Sequence, residues 1–243
     1  YVCLRSFGEL CVFKAVFDMN NSPSSGGERN DVLLKVVAVG SPGVGKTSLI
    51  NGLCGIPFEL NTSTTIGVEF RMKDVQVSAG PAVSMQLWDT AGQERYHALN
   101  SVYYRRSMGA LLVFDVTNRE SFDKLNHWLG EIRKHADPAI CVVICGNKTD
   151  LATARSVSSD EGHAFAASVG AVYCETSAKT DNVEDAFRLM ADNVLYKISL
   201  ARLTSRQGTA NPVLLGQGRK LSLTAHKASG RTDEPETAGC RCQ

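Results

Sequence analysis

The sequence predicts an α/β fold: one six-stranded, mainly parallel sheet with one antiparallel edge strand and helices on both faces. Two patterns carry this expectation. Short β-rich apolar runs alternate with amphipathic stretches from Val32 to Ser199, as strands joined by crossover helices do. The exception is Ala79-Gly80-Pro81, a break too short for a crossover helix, which makes its two flanking runs an antiparallel hairpin at the sheet edge.

Strands are expected near Val32–Val39, Glu69–Ser78, Val83–Trp88, Gly109–Val116, Ala139–Cys145 and Ala171–Cys174. Helices are expected from Lys46 onward, in a short irregular piece after Asp89, and near Ser121–His135, Ser158–Ser168 and Asn182–Leu200. Ser158 and Glu161 have the spacing of a capping box, in which each side chain satisfies an orphan amide at a helix start. After about Thr204 periodicity disappears. The chain thus divides into a flexible leader over 1–30, one domain over 31–200 and a flexible tail over 201–243, with a tail reach on the order of 35 Å. The chain opens on Tyr1, and Met19, just ahead of Asn20, Asn21 and a Ser/Gly-rich stretch, would make a natural initiator. Residues 1–18 are therefore either an over-extended reading of the gene or a genuine extension.

With 26 Lys+Arg against 25 Asp+Glu, the chain lacks the basic excess that marks a nucleic-acid binder. No apolar stretch approaches the length of a membrane span. The eight cysteines show no zinc-type CxxC…CxxC spacing. Cys141 and Cys145 share one strand-like run, which holds them about 13 Å apart and beyond disulfide reach. They read as buried reduced thiols.

Gly40-Ser41-Pro42-Gly43-Val44-Gly45-Lys46-Thr47, with Ser48 next, fits the pattern GxxxxGK[ST] between an apolar strand and a helix. Glycines let backbone amides approach a polyphosphate, the helix N-terminus adds a positive dipole end, and Lys46 reaches the β- and γ-phosphates. Thr47 would hold Mg²⁺ through its hydroxyl. Asn147-Lys148-Thr149-Asp150 follows a later strand, at the sheet end where open α/β folds bind ligands. The Asp150 carboxylate suits guanine, which offers two adjacent donors, and not adenine. Ser177-Ala178-Lys179 forms a second strand-end loop with an amide for the guanine carbonyl. Asp89, in Trp88-Asp89-Thr90-Ala91-Gly92-Gln93-Glu94, would hold Mg²⁺ through water, with the Gly92 amide at the γ-phosphate.

These motifs, with Thr65-Ile66-Gly67-Val68-Glu69-Phe70, resemble in order and spacing a Ras-superfamily small GTPase over nearly all of Leu34 to Leu195. Tyr103-Tyr104-Arg105 and Gly109-Ala110-Leu111-Leu112-Val113-Phe114-Asp115 are similar to the Rab family in particular. The resemblance implies the P-loop small GTPase fold, GTP/GDP as bound nucleotide, Mg²⁺ held by Thr47, Thr65 and Asp89, and catalysis by Gln93, which orients water, with Lys46. The role of that glutamine is carried over from Ras, a relative of the family resembled, and does not come from spacing. Phe58 would pack on the guanine. Residues 58–70 become switch I and 89 to about 106 switch II, with effectors reading Ile66, Phe70, Trp88 and Tyr103. Further implied partners are an exchange factor, an activating protein, a dissociation inhibitor and an escort protein, acting on a monomer.

The chain ends Cys240-Arg241-Cys242-Gln243. Rab proteins commonly carry two prenyl groups on such a cysteine pair, which implies attachment to the cytoplasmic face of intracellular membranes with a cytosolic pool. A single farnesyl on Cys240 and unmodified cysteines are the alternatives. Tyr96-His97-Ala98-Leu99 resembles endosomal Rabs. Two departures stand out. Pro42 removes an amide donor beside the catalytic water, which leaves open a GTP-binding scaffold with negligible hydrolysis as the alternative to a slow GTPase switch in vesicular traffic. Arg106 replaces the glycine that usually follows YYR. A P-loop ATPase or kinase is the third reading, and Asp150 argues against it.

Overall fold

The computed structural model describes residues 32–60, 65, 67–90, 103–180 and 183–206, with side chains as far as 203. The leader, Ile66, Gly92, Gln93, most of the piece expected after Asp89, and Cys240 and Cys242 lie outside them.

In chain order the elements are β1 (Leu33–Val39), α1 (Lys46–Leu53), β2 (Val68–Val75), β3 (Val83–Thr90), β4 (Gly109–Asp115), α2 (Arg119–Asp123), α3 (Leu125–His135), β5 (Cys141–Asn147), α4 (Ser159–Val169), β6 (Val172–Glu175) and α5 (Val183–Arg206). The six strands lie in the order β2-β3-β1-β4-β5-β6. Only β2 and β3 pair antiparallel; the other four pairings are parallel. The sheet is therefore the expected one, with its hairpin at the edge.

Period-2 alternation sends successive strand residues to opposite faces. Leu34, Val36 and Ala38 of β1, with Leu111 and Val113 of β4, join a core shared with Leu49 of α1 and Phe187, Met190 and Val194 of α5. Val37 and Val39, with Leu112 and Phe114, face the second core with Leu125, Trp128 and Ile132 of α3 and Ala166 of α4. Helices accordingly cover both faces. The capping box is complete: Glu161 N–H donates to Ser158 Oγ at 3.2 Å and Ser158 N–H donates to Glu161 Oε2 at 3.0 Å.

Several boundaries differ from expectation, β5 for one lying two residues later at Cys141–Asn147 and β3 running on to Thr90, and three differences are instructive. The helix expected at Ser121–His135 begins at Arg119, where the Asn118 side chain accepts from Ser121 N–H, and it divides at Lys124. Phe122 holds the short first piece by packing on Phe114 and Phe165, at ring distances of 5.1 and 5.6 Å. Strand β2 ends at Val75. Beyond it the chain is drawn to α5, because Ser78 N–H and Oγ–H both donate to the Asp192 carboxylate, at 3.0 and 2.6 Å. Finally, α5 continues to Arg206, through residues expected to belong to the tail. No helix among the described residues is long and apolar enough to cross a membrane.

Arg106 takes φ 61°, in the left-handed region, where a side chain costs roughly 1–2 kcal/mol. It sits in the turn that delivers the chain to β4, where Ser107 N–H donates to Tyr104 O and Met108 N–H to Lys35 O. Glycine adopts that conformation without strain but loses more entropy on folding. Arg106→Gly should therefore stabilise the fold by up to about 1 kcal/mol, read as a higher urea midpoint at unchanged slope. A lower midpoint would show that Arg106 makes contacts worth more than its strain.

Candidate functional site

The parallel strands β1, β4, β5 and β6 end on one side of the sheet, and the loops that leave β1, β5 and β6, with residues of the segment after α1, line a cavity of about 360 Å³. Pro42, Gly43, Gly45, Lys46, Thr47 and Ser48 line one end, Asn147, Lys148, Asp150, Ala178 and Lys179 the other, and Phe58 and Thr65 a side. Two loops far apart in sequence from the glycine-rich segment are thus brought to it, as the strand-end positions of their motifs require.

Glycine is needed where the loop runs against its neighbours. A Cβ on Gly40 would lie 2.2 Å from Val113 O, and one on Gly45 would lie 2.3 Å from Asn147 Nδ2. Gly45 also takes φ 95° and is the N-cap of α1. It offers no side chain to the helix amides, and the first turn holds no acidic residue. The positive end of α1 therefore faces the cavity with no acidic side chain of its own first turn to neutralise it.

The Lys46 ammonium is only 6% exposed and donates to Gly40 O and Ser41 O, both at 2.9 Å. Those carbonyls take two of its three protons. Burial lowers its pKa to about 8, against the opposing pull of the Asp89 charge. A ligand carrying negative charge would complete its solvation.

Beside it, Thr47 Oγ1 donates to Asp89 Oδ2 at 2.5 Å and lies 2.8 Å from Thr65 Oγ1. A hydroxyl has one proton to give, so Thr65 is the donor in the second bond. Burial raises the Asp89 pKa, while the Thr47 hydrogen bond and then Lys46 lower it. The other carboxylate oxygen, Asp89 Oδ1, is buried with no hydrogen-bond partner among the described residues. One carboxylate and two hydroxyls are the hard oxygen donors that Mg²⁺ takes, so the residues fit that ion. Among the described residues no cluster of three or more His, Cys, Asp and Glu could hold a metal. A cation here would need further oxygens, such as those of a phosphate.

One side chain unites the two ends. Asn147 Nδ2 donates to Val44 O at 2.8 Å, and Asn147 Oδ1 accepts from Ala178 N–H and Thr176 Oγ1, each at 3.3 Å. Ser177 Oγ donates to Asp150 Oδ1 at 2.6 Å and accepts from Lys179 N–H at 3.2 Å. The Asp150 carboxylate is thereby held in one rotation, and the oxygens retain further acceptor sites. Lys148 pairs with Asp115 at 2.7 Å.

Phe58 is 41% exposed and lies at the cavity rather than in the core. Phe70, Trp88 and Tyr103 form a continuous aromatic row, with centroids 5.1 and 5.2 Å apart. Phe70 is 48% exposed, while Trp88 and Tyr103 are half-buried and Trp88 packs against the second core, so the row runs from the surface at Phe70 into the fold. Sequence reasoning missed Thr176, Asp115 and Trp128, whose Nε1–H donates to Ser41 Oγ at 3.3 Å. Thr176 and Asp115 adjoin the ends of β6 and β4, and that position was the signal available. Trp128 gave none, since it reads as an ordinary apolar helix residue.

The Ras family model matches residues 35–196. The chain is 41% identical to the Ras-related protein Rab11C of Lotus japonicus, over 83% of this chain and 93% of that protein. It is 43% identical to the Ras-related protein RGP2 of Oryza sativa subsp. japonica, over 82% and 92% of the two chains. With the Ras-related protein RABA2d of Arabidopsis thaliana it shares 41% identity, over 83% and 93%.

Proposed function

The chain belongs to the Ras family and is a small GTPase of the Rab kind, and on that premise we propose that it is a membrane-tethered guanine-nucleotide switch that hydrolyses GTP slowly to regulate vesicular traffic. The observation that carries the reading is the Asn147 bridge, which joins the glycine-rich loop to the Asp150 and Ala178 loops as two ends of one cavity. Lys46 and Asp150 line this one cavity, the first suited to a polyphosphate and the second to a base.

In this reading the amides of Gly40 to Ser48 other than Pro42, with the Lys46 ammonium, hold the β- and γ-phosphates. Thr47, Thr65 and Asp89 hold Mg²⁺, which when bound neutralises charge on the phosphate oxygens. Asp150 accepts from the guanine N1–H and 2-amino group, the Ala178 amide donates to its carbonyl, and Phe58 packs on its face. Gln93 orients the attacking water and the Gly92 amide senses the γ-phosphate. Thr65 and Gly92 hold both switches only while that phosphate is present, and hydrolysis releases them. Effectors read the aromatic row only while the γ-phosphate holds both switches, and an exchange factor, an activating protein, a dissociation inhibitor and an escort protein act on the same monomer. Prenyl groups on Cys240 and Cys242 tether it to the cytoplasmic face of endosomal membranes, two chains giving the stable attachment that one does not.

Asp150→Asn tests base reading. Asparagine keeps one acceptor and gains a donor, which opposes the 2-amino group of guanine and matches the 2-carbonyl of xanthine. A lost charge-assisted bond and an unpaired polar group each cost about 1.5–3 kcal/mol, so together they should lower GTP affinity by at least about a hundredfold. XTP should recover much of it in competitive binding at fixed Mg²⁺. Loss of GTP without gain of XTP would mean that Asp150 only shapes its loop.

Lys46 sets a pH dependence. Bound phosphates favour the ammonium and raise its pKa above the ligand-free value of about 8. Binding therefore takes up a proton at higher pH, and GDP affinity should be flat below about pH 8 and fall by up to tenfold per unit above it. Titration calorimetry at saturating Mg²⁺ reads this directly, and a flat profile to about pH 10 would remove Lys46 from the phosphate contacts.

Pro42 is exposed at the cavity wall and offers no amide proton. Pro42→Ser should raise the single-turnover rate of phosphate release, by roughly tenfold if one transition-state hydrogen bond is regained. An unchanged rate would mean that slow turnover has another cause. No measurable release from the wild-type chain would favour the GTP-binding scaffold.

A further inference from the structure

Two thiols lie side by side beneath the base-end loops. Cys145 of β5 and Cys174 of β6 are register partners in the parallel ladder, which sets their Cα atoms about 5 Å apart, within the span of a disulfide. Both belong to the α5 side of the sheet. The two groups interact: the hydrogen bond with the Cys145 thiol, and then burial, hold Cys174 well above the ordinary thiol range. Both cysteines are free, Cys145 buried and Cys174 only half-buried, and β6 ends the sheet order, with β5 as its neighbour.

The pair also connects upward. Cys145 Sγ lies 3.1 Å from Thr176 Oγ1, whose proton goes to Asn147 Oδ1. The Cys145 S–H is then the donor to Thr176. Asn147 in turn donates to Val44 O. A line of hydrogen bonds thus runs from the thiols to the glycine-rich loop.

We propose that Cys145 and Cys174 form a reversible disulfide, made by a hydroperoxide and undone by a dithiol, which loosens the hold on bound nucleotide. The second half rests on the reading of the cavity as a guanine-nucleotide site. The Cys174 thiolate, from the less buried of the two residues, attacks a peroxide oxygen. The O–O bond breaks, a sulfenic acid forms, and the leaving oxygen takes up a proton. Cys145 Sγ then attacks the Cys174 sulfur, the S–O bond breaks, and hydroxide leaves as water with the Cys145 proton. Two electrons pass from the sulfurs to the peroxide. The product has no S–H to donate to Thr176, so the alignment of Thr176 and Asn147 is lost together with part of the tie between the two ends of the cavity. Because Cys174 resists ionisation, the first attack is slow at neutral pH and accelerates as pH rises.

The test uses the full chain loaded with fluorescent GDP, exposed to hydrogen peroxide and quenched with an alkylating agent. Mass spectrometry of unreduced peptides should find Cys145 linked to Cys174. GDP release should be at least about tenfold faster than from the reduced chain, the scale of one lost hydrogen bond, and dithiothreitol should restore the slow rate. Cys174→Ser should keep the reduced release rate and lose the response, and Cys174→Ala serves if buried serine destabilises the fold. Oxidation confined to other cysteines would overturn the proposal. The link with unchanged release would overturn its effect on nucleotide while leaving the nucleotide reading intact. A chain that loads no GDP would sink that reading and the second half together, with the peptide map still deciding the first.

Discussion

A buried ammonium dictates much of the site. Lys46 is enclosed at the start of α1 with two of its protons on backbone carbonyls of its own loop, and moving a charge out of water is costly unless opposite charge or dipoles replace the water. Asp89 attracts it without hydrogen-bonding to it. The surrounding features follow: an uncapped helix start, a loop whose glycines let backbone pass close to Val113 and Asn147, and a first helical turn free of acid. Each leaves positive potential in the same small volume. A protein that keeps such a place in its fold gives up stability for readiness to take an anion.

The parallel sheet converts that local demand into a complete cavity. Register brings the ends of β4, β5 and β6 level and stops β1 earlier, opposite Leu112, which leaves room above β1 for the glycine-rich loop to meet the loops that follow β5 and β6. Asn147 then spans the gap with a short, rigid amide that both donates and accepts. A longer side chain would add rotamer freedom, and a carboxylate could not donate to Val44 O.

The parts legible in the sequence were those governed by spacing along the chain. The capping box, the hairpin break and the strand-loop-helix context of residues 40–48 each depend on neighbours a few positions apart, and each appears as expected. Tertiary contacts were harder to foresee. The division at Lys124 depends on Phe122 being held by rings from β4 and α4, and the early end of β2 on a carboxylate from α5. Asp115 became intelligible only when paired with Lys148. The length of α5 was underread because its last turns are polar, and a hydrophobic period loses force where few apolar residues remain to mark it.

Strand β2 occupies one end of the sheet, and its other side has no strand neighbour among the described residues. An unpaired row of amides and carbonyls invites further strands to add on, and with them aggregation. Here Phe70 and Met72 are exposed in sequence alternation with charge, Glu69, Arg71 and Lys73 around them and Asp74 beyond. Any chain laid along this border must bring opposite charges in the correct order or forfeit their hydration. The border thereby works as a filter, adhesive at its apolar positions and selective through the charges set between them.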